Sequence, residues 1–302
     1  MDFLHFLAQY RTPAGDLFFQ GVTYLAQETF VVAVICWLFW CSDRRLAYCL
    51  GFAYFTSGLL IQGLKITFRV PRPWVLDPDF APVASAVGDA TGYSFPSGHT
   101  QSITALLGTL SLCARKYRFR FLCGLGILLV GFSRMYLGCH TLQDVGTAFC
   151  VSLLCAFLCW YFFYKRNLGT GREGIVCIVL LAVCALLLIY TGSLYGSGAL
   201  PEEFAADCVK ACGAGAAFAI GYYLTETRIP FAVPDSTGKK FRRFLVGIAV
   251  TLVLQTGLKP LLSASLPASF VRYFIVVFWI ITVYPLLFHR YSQKRGESGA
   301  QP

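Results

Sequence analysis

The chain has 302 residues, of which 57% are hydrophobic and 13% charged, with a formal net charge of +10 and a mean hydropathy of +0.63. So much apolar and so little charged surface does not fit inside one soluble core, which excludes an ordinary cytosolic enzyme and implies a multi-pass membrane protein. Thirteen cysteines form no C-x2-C pair and lie mostly inside apolar runs, so they read as small buried hydrophobes and not as a disulfide framework.

The N-terminus does not read as a secretory signal, because Asp2 and His5 stand where a basic leader would be. Phe3, Phe6, Leu7 and Tyr10 fall at i, i+3, i+4 and i+7, one face of a short helix suited to the membrane interface, and Thr12-Pro13 should end it. Nine apolar stretches follow, each near the ~20 residues that a bilayer requires. They are predicted at 22–41, 46–68, 97–114, 121–136, 141–164, 175–195, 208–224, 244–262 and 270–288, the third and fourth being short. The fold class expected is thus an all-α polytopic bundle of about nine transmembrane spans.

Three polar strings interrupt this pattern. The first is Lys65 with Arg72-Pro73, the second Pro96-Ser97-Gly98-His99, and the third Ser133-Arg134 with His140 and Asp144. They resemble the three motifs of the type 2 phosphatidic acid phosphatase superfamily, with no position missing. That resemblance is strongest over 65–144 and weaker from Glu28 to about 165. Two spans before the first motif and extra spans at the C-terminus resemble the nine-span glucose-6-phosphatase and sphingosine-1-phosphate phosphatase branches. The organisation expected is an interfacial segment 1–20, a phosphatase core 21–166, additional spans in 167–290 and a polar tail 291–302.

The resemblance implies metal-independent hydrolysis of a phosphate ester, and the residue types suit it. His140 is the expected nucleophile, with Asp144 four residues on, where one turn of helix lets the carboxylate fix the ring tautomer. Pro96 and Gly98 open a helix at whose N-terminus Ser97, Gly98 and His99 offer backbone N–H groups to an anion. His99 is then the acid for the leaving oxygen and the base for water. Lys65, Arg72 and Arg134 would hold the phosphoryl oxygens, Arg72 being stiffened by Pro71 and Pro73. Glu28, in Gln27-Glu28-Thr29-Phe30, resembles a position in the sphingosine-1-phosphate phosphatase branch; it is expected to support the site by pairing with Lys65 or Arg72. Lys259 and Arg272 are placed either in the same outer vestibule or against headgroups, and Cys139 beside His140 is a thiol that bulky alkylation could report.

No cofactor or metal is expected. Asp77-Pro78-Asp79 suggests a magnesium ligand but reads better as turn chemistry. The run Arg72-Pro73-Trp74-Val75-Leu76 looks like a glucose-6-phosphatase segment that shapes the substrate mouth. Of the 25 basic residues, 17 lie in one set of alternating loops, so the other set, with all three motifs and the N-terminus, is expected outside and the C-terminus in the cytoplasm. Basic runs such as Lys239-Lys240-Phe241-Arg242-Arg243 read as topology signals touching anionic lipid, not as nucleic-acid sites. The expected substrate is a phosphorylated lipid. A sugar phosphate or a polyprenyl diphosphate is the enzymatic alternative, and a phospholipid-binding transporter or scaffold the other.

Overall fold

The computed structural model describes residues 1–88, 90–167, 171–229, 231–262 and 265–294, with side chains up to residue 290. Every regular element among them is helical. In chain order these are α1 (Asp2–Gln9), α2 (Pro13–Tyr24), α3 (Glu28–Cys41), α4 (Arg44–Phe68), the single turns α5 (Pro73–Leu76) and α6 (Ala84–Val87), α7 (Gly98–Cys113), α8 (Tyr117–Tyr136) and α9 (Leu142–Cys159). After these come α10 (Glu173–Gly196), α11 (Glu202–Thr227), α12 (Thr237–Leu261), α13 (Leu266–Phe278) and α14 (Tyr284–Lys294). α9 runs on into a π-helical turn over Trp160–Lys165, and a second π-turn, Trp279–Val283, joins α13 to α14.

Local chemistry fixes the ends that matter. Asp43 caps α4 by accepting from the Leu46 N–H at 2.9 Å, and the helix stops where Arg69 turns left-handed, at φ 50, just before Pro71 and Pro73. Ser97 caps α7, and Thr141 with Asp144 forms a reciprocal capping box on α9. Four helices therefore turn at one end of the bundle: α4 and α8 finish there, α7 and α9 begin there.

Eight helical stretches among the described residues are long and apolar enough to cross a membrane. The predicted span 97–114 is not one of them, because α7 has 16 residues, about 24 Å at 1.5 Å per residue. It nonetheless runs from end to end of the bundle. The Ser97 N–H donates to the Asp144 carbonyl at one end, and the Cys113 thiol meets that of Cys49, near the start of α4, at the other. α7 is enclosed by α3, α4, α8 and α9, so Thr100, Ile103, Thr104, Leu106 and Thr109 are all buried.

The predicted span 22–41 is interrupted: α2 ends at Tyr24, and α3 starts afresh at Glu28. The N-terminal helix keeps the three aromatic residues of its predicted interfacial face outward and turns only Leu7 of that face inward. Leu4 and Leu7 are buried against Phe80, Met135 and Val145, while Phe3, Phe6 and Tyr10 face outward. Thr12-Pro13 does separate α1 from α2, Thr12 accepting from the Gly15 N–H.

The C-terminal helices are not a separate layer. Residues of α3, α4, α9, α10, α11 and the second π-turn share one apolar core. α10 turns Ile175, Ile178, Val179, Leu186 and Ile189 outward, the surface a lipid-facing helix needs. All thirteen cysteines are free and eleven are buried. The predicted tail lies outside the described residues from 295 onward.

Candidate active site

The turning end of the bundle brings all three polar strings together. His140 lies between α8 and α9 and is 2% exposed. Its Nε2 is 3.0 Å from Arg72 Nη1, and its Nδ1 is 3.5 Å from Asp144 Oδ2. A guanidinium can only donate, so Nε2 is the acceptor and the proton of the neutral ring sits on Nδ1, toward Asp144. Burial, followed by the charges of Arg72, Arg134 and Lys65, holds the His140 pKa well below the ordinary value of 6.5.

Asp144 is itself fixed. Its Oδ2 accepts from Ser94 Oγ at 2.7 Å and from the Thr141 N–H at 2.8 Å. The capping box that starts α9 thus also aims the carboxylate at the histidine. Arg72 is clamped by the loop it precedes: Nε donates to the Gly92 carbonyl at 3.0 Å, Nη1 to Cys139 at 3.1 Å and Nη2 to Thr91. Pro73 at the first position of α5 holds the backbone on one side.

Lys65, in the last turn of α4, is buried and donates to the Tyr93 carbonyl. Arg134 is 0% exposed and donates from Nη1 to Thr23 Oγ1 at 3.0 Å, tying α8 to α2. His99 lies within electrostatic reach of Arg134, Arg72 and Lys65. Among the described residues nothing bonds its buried Nε2. Ser97 caps the helix, its Oγ accepting from Thr100 Oγ1 at 3.0 Å, which leaves its O–H as a donor. A Cβ added to Gly98 would meet nothing within 4 Å, so the start of α7 stands open.

Glu28 is paired with neither Lys65 nor Arg72. Lys65 and Arg72 bond loop carbonyls, and the charges that Glu28 faces are Lys210 and Asp207 of α11. α11 passes beside α4 and carries them there, which the separation in sequence hides. Asp77 is a turn residue: Oδ1 accepts from the Asp79 N–H at 3.1 Å, and Oδ2 lies 2.7 Å from His5 Nε2. That bond to His5 holds the Asp77 carboxyl below its usual range. It also ties α1 over the motif loop, as does Arg11, which donates to Tyr136 at 2.9 Å and to Ala81 at 2.6 Å.

Sequence reasoning passed over Ser94, Thr23 and Asp207. Ser94 and Thr23 carry no pattern that would have marked them. Asp207 sits in an interrupted apolar stretch, a signal available but not assigned to the site.

A model of the PAP2 superfamily matches residues 46–168, and one of the PAP2 superfamily phosphatase transmembrane extension matches 209–296, together more than half of the chain. The chain is 24% identical to mouse sphingosine-1-phosphate phosphatase 1 over 82% of its own length and 60% of the relative's. It is 27% identical to a dihydrosphingosine 1-phosphate phosphatase of Saccharomyces cerevisiae, over 57% and 45%. Phosphatidylglycerophosphatase B of Bacillus subtilis is 31% identical over 33% and 53%. The chain thus spans roughly half of the length of these relatives. A crystal structure of Aquifex aeolicus LpxE aligns with TM-score 0.45 and 24% identity, covering 53% of this chain and 93% of that one.

Proposed function

The chain belongs to the PAP2 superfamily, and from that premise we propose that it is an integral membrane phosphatase acting on a lipid phosphate monoester through a phosphohistidine. The observation that carries this reading is His140, buried with its Nε2 lone pair toward Arg72 and its Nδ1 toward Asp144.

Uncatalysed phosphate-ester hydrolysis needs a barrier reduction on the order of 20 kcal/mol, and a covalent intermediate divides it into two smaller steps. In the first, His140 Nε2 attacks phosphorus, the P–N bond forms and the P–O bond to the alcohol breaks. His99 gives the departing oxygen its proton. Arg72 Nη1, 3.0 Å from Nε2, gives its hydrogen to a phosphoryl oxygen, with Lys65, Arg134 and the N–H groups at the start of α7 on the others. Asp144 stabilises the ring once it is cationic. In the second step neutral His99 takes a proton from water, the oxygen attacks phosphorus, and the P–N bond breaks to release phosphate.

The split of basic residues supports an extracytoplasmic site, with the N-terminus outside and the C-terminus in the cytoplasm. A lipid substrate is supported by the position of the site at the ends of lipid-facing helices, where an acyl or isoprenoid tail can stay in the bilayer.

The test is chemical trapping. Protein mixed with 32P-labelled lipid phosphate and quenched in alkali should retain label in the wild type and in His99→Ala, and none in His140→Ala. Turnover should continue in excess chelator and stop with vanadate. Label on His140→Ala would show the wrong nucleophile, and activity lost in chelator but restored by magnesium would overturn the mechanism.

A further inference from the structure

Two cavities lie on the side of the bundle where α11, α12 and α13 pack. The inner one, about 380 Å³, is lined by Thr91 and Gly98, beside His99, and belongs to the candidate site. The outer one, about 640 Å³, lies between α3, α12 and α13 and holds cations that the reaction above does not use. Lys259, in the last turn of α12, and Arg272 of α13 line it from adjacent helices, and neither lines the inner cavity.

The charges of the outer cavity do not balance. Lys210 is paired with Asp207 at 2.8 Å. Glu28 is the carboxylate of the wall, and the charges acting on it are those of Lys210 and Asp207. No carboxylate among the described residues lies within ion-pair distance of Lys259 or Arg272. Arg272 rests over the ring of its neighbour Tyr273, 5.5 Å from its centre. Counting Asp207 with its partner Lys210, three cations stand against two carboxylates, an excess of one positive charge. Snorkelling accounts for a single cation at a helix end, but here two adjacent helices bring theirs to one cavity. Basic pockets between membrane helices are places where anionic headgroups bind.

The cavity is also graded with depth. α3 and α13 begin, and α12 ends, at the end of the bundle that carries the candidate site, so Glu28, Lys259 and Arg272 stand toward that end. Deeper along these helices the wall is built by Val32, Ile248, Leu252, Val276 and Val277. At 1.5 Å per residue, Ile248 is about 16 Å further along α12 than Lys259, close to the ~15 Å of hydrocarbon in one leaflet. A free anion would occupy the charged mouth and leave the apolar depth unfilled. We propose that the outer cavity binds one anionic phospholipid of the diester class, its phosphate on Lys259 and Arg272 and an acyl chain beneath them along α12 and α13. A phosphodiester carries one negative charge and presents no terminal phosphate, so this lipid is a bound partner and not a substrate. The site uses no residue of the three polar strings and stands or falls apart from the phosphatase reading.

The test is native mass spectrometry of the full-length protein in detergent. It is titrated with phosphatidylinositol, or with phosphatidylcholine of the same acyl chains, whose ammonium cancels the phosphate charge. Phosphatidylinositol should saturate at one molecule per chain, with a Kd at least about tenfold below that of phosphatidylcholine. In Lys259→Gln/Arg272→Gln that ratio should fall to within about twofold of one, and Lys259→Arg should keep it. Each ratio is internal to one variant, so partial misfolding does not mimic the effect. Ala33→Trp puts bulk into the cavity without touching a charge, and should weaken both lipids. Glycerophosphoinositol, the same headgroup without chains, should not displace the lipid at equal concentration. Equal affinity for the two lipids in the wild type, or a preference that survives the double substitution, overturns the proposal. So does full affinity in Ala33→Trp, which would leave the headgroup on the surface, or displacement by glycerophosphoinositol, which would make this a site for a free anion.

Discussion

Arg72 cannot accept a proton, and this one fact orders the chemistry of His140. With Arg72 Nη1 3.0 Å from Nε2, the neutral ring must protonate at Nδ1, where Asp144 stands 3.5 Å away. A depressed histidine pKa also has a consequence for stability. The unfolded chain takes up a proton near pH 6.5 that buried His140 refuses until well below it. Between those two values the unfolded state binds more protons, so stability rises with pH; it is lost as pH falls from 6.5 toward the folded pKa. The thermal midpoint of the wild type in detergent should therefore fall more steeply between pH 7.5 and 5.5 than that of His140→Gln. Identical slopes would mean that His140 titrates in the folded protein as it does in the unfolded chain.

Among elements, α11 shows how small residues decide packing. A Cβ on Gly213 would stand 2.4 Å from the Phe270 carbonyl oxygen of α13, and one on Gly221 would stand 2.1 Å from Ile281 Cγ2. The first obstacle is backbone, which cannot rotate away, so α11 and α13 approach this closely only because no side chain intervenes. In an unobstructed helix, glycine to alanine stabilises by about 0.5–1 kcal/mol. Gly213→Ala should reverse that sign and lower the thermal midpoint. Gly192→Ala, in α10 with nothing within 4 Å of the added carbon, should leave it unchanged or raise it. A Gly213→Ala protein as stable as the wild type would show that the two helices part without cost.

Across the whole molecule, charge separates by end. Opposite the reaction site, Arg44 pairs with Glu226 at 3.3 Å, Arg45 donates to the Tyr164 carbonyl, and Arg243 donates to Trp40 at 3.2 Å while its guanidinium lies 4.0 Å over the Phe288 ring. These contacts gather the starts of α4 and α12 and the ends of α3, α9 and α11 into one basic rim. Positive loops stay in the cytoplasm, so a tag in the 228–236 connection between α11 and α12 should be protected in sealed right-side-out vesicles and one in the 74–92 segment accessible. The reverse pattern would place the reaction in the cytoplasm.

Much of this was legible along the chain because its causes are local. Apolar length determines which stretches become membrane helices, and proline and capping residues determine where α4 stops and α7 and α9 start. The strings holding Lys65, Arg72, His99, Arg134, His140 and Asp144 are marked by residue type and spacing, and the helix ends they occupy meet because consecutive helices alternate direction. What the sequence left open depends on contacts between distant segments. Leu7 leaves the predicted interfacial face and packs with Leu4 against Phe80, Met135 and Val145, residues distant in sequence. Ser94 reaches Asp144 across 50 positions and Thr23 reaches Arg134 across 111, and neither residue type announces such a role. Lys210, not Lys65, is the cation beside Glu28, because α11 packs against α4 and carries Lys210 to the cavity that Glu28 lines. Local chemistry decided the elements and which polar groups stand at their ends. Only tertiary packing, which sets the neighbours of each buried charge, decided what surrounds the candidate site.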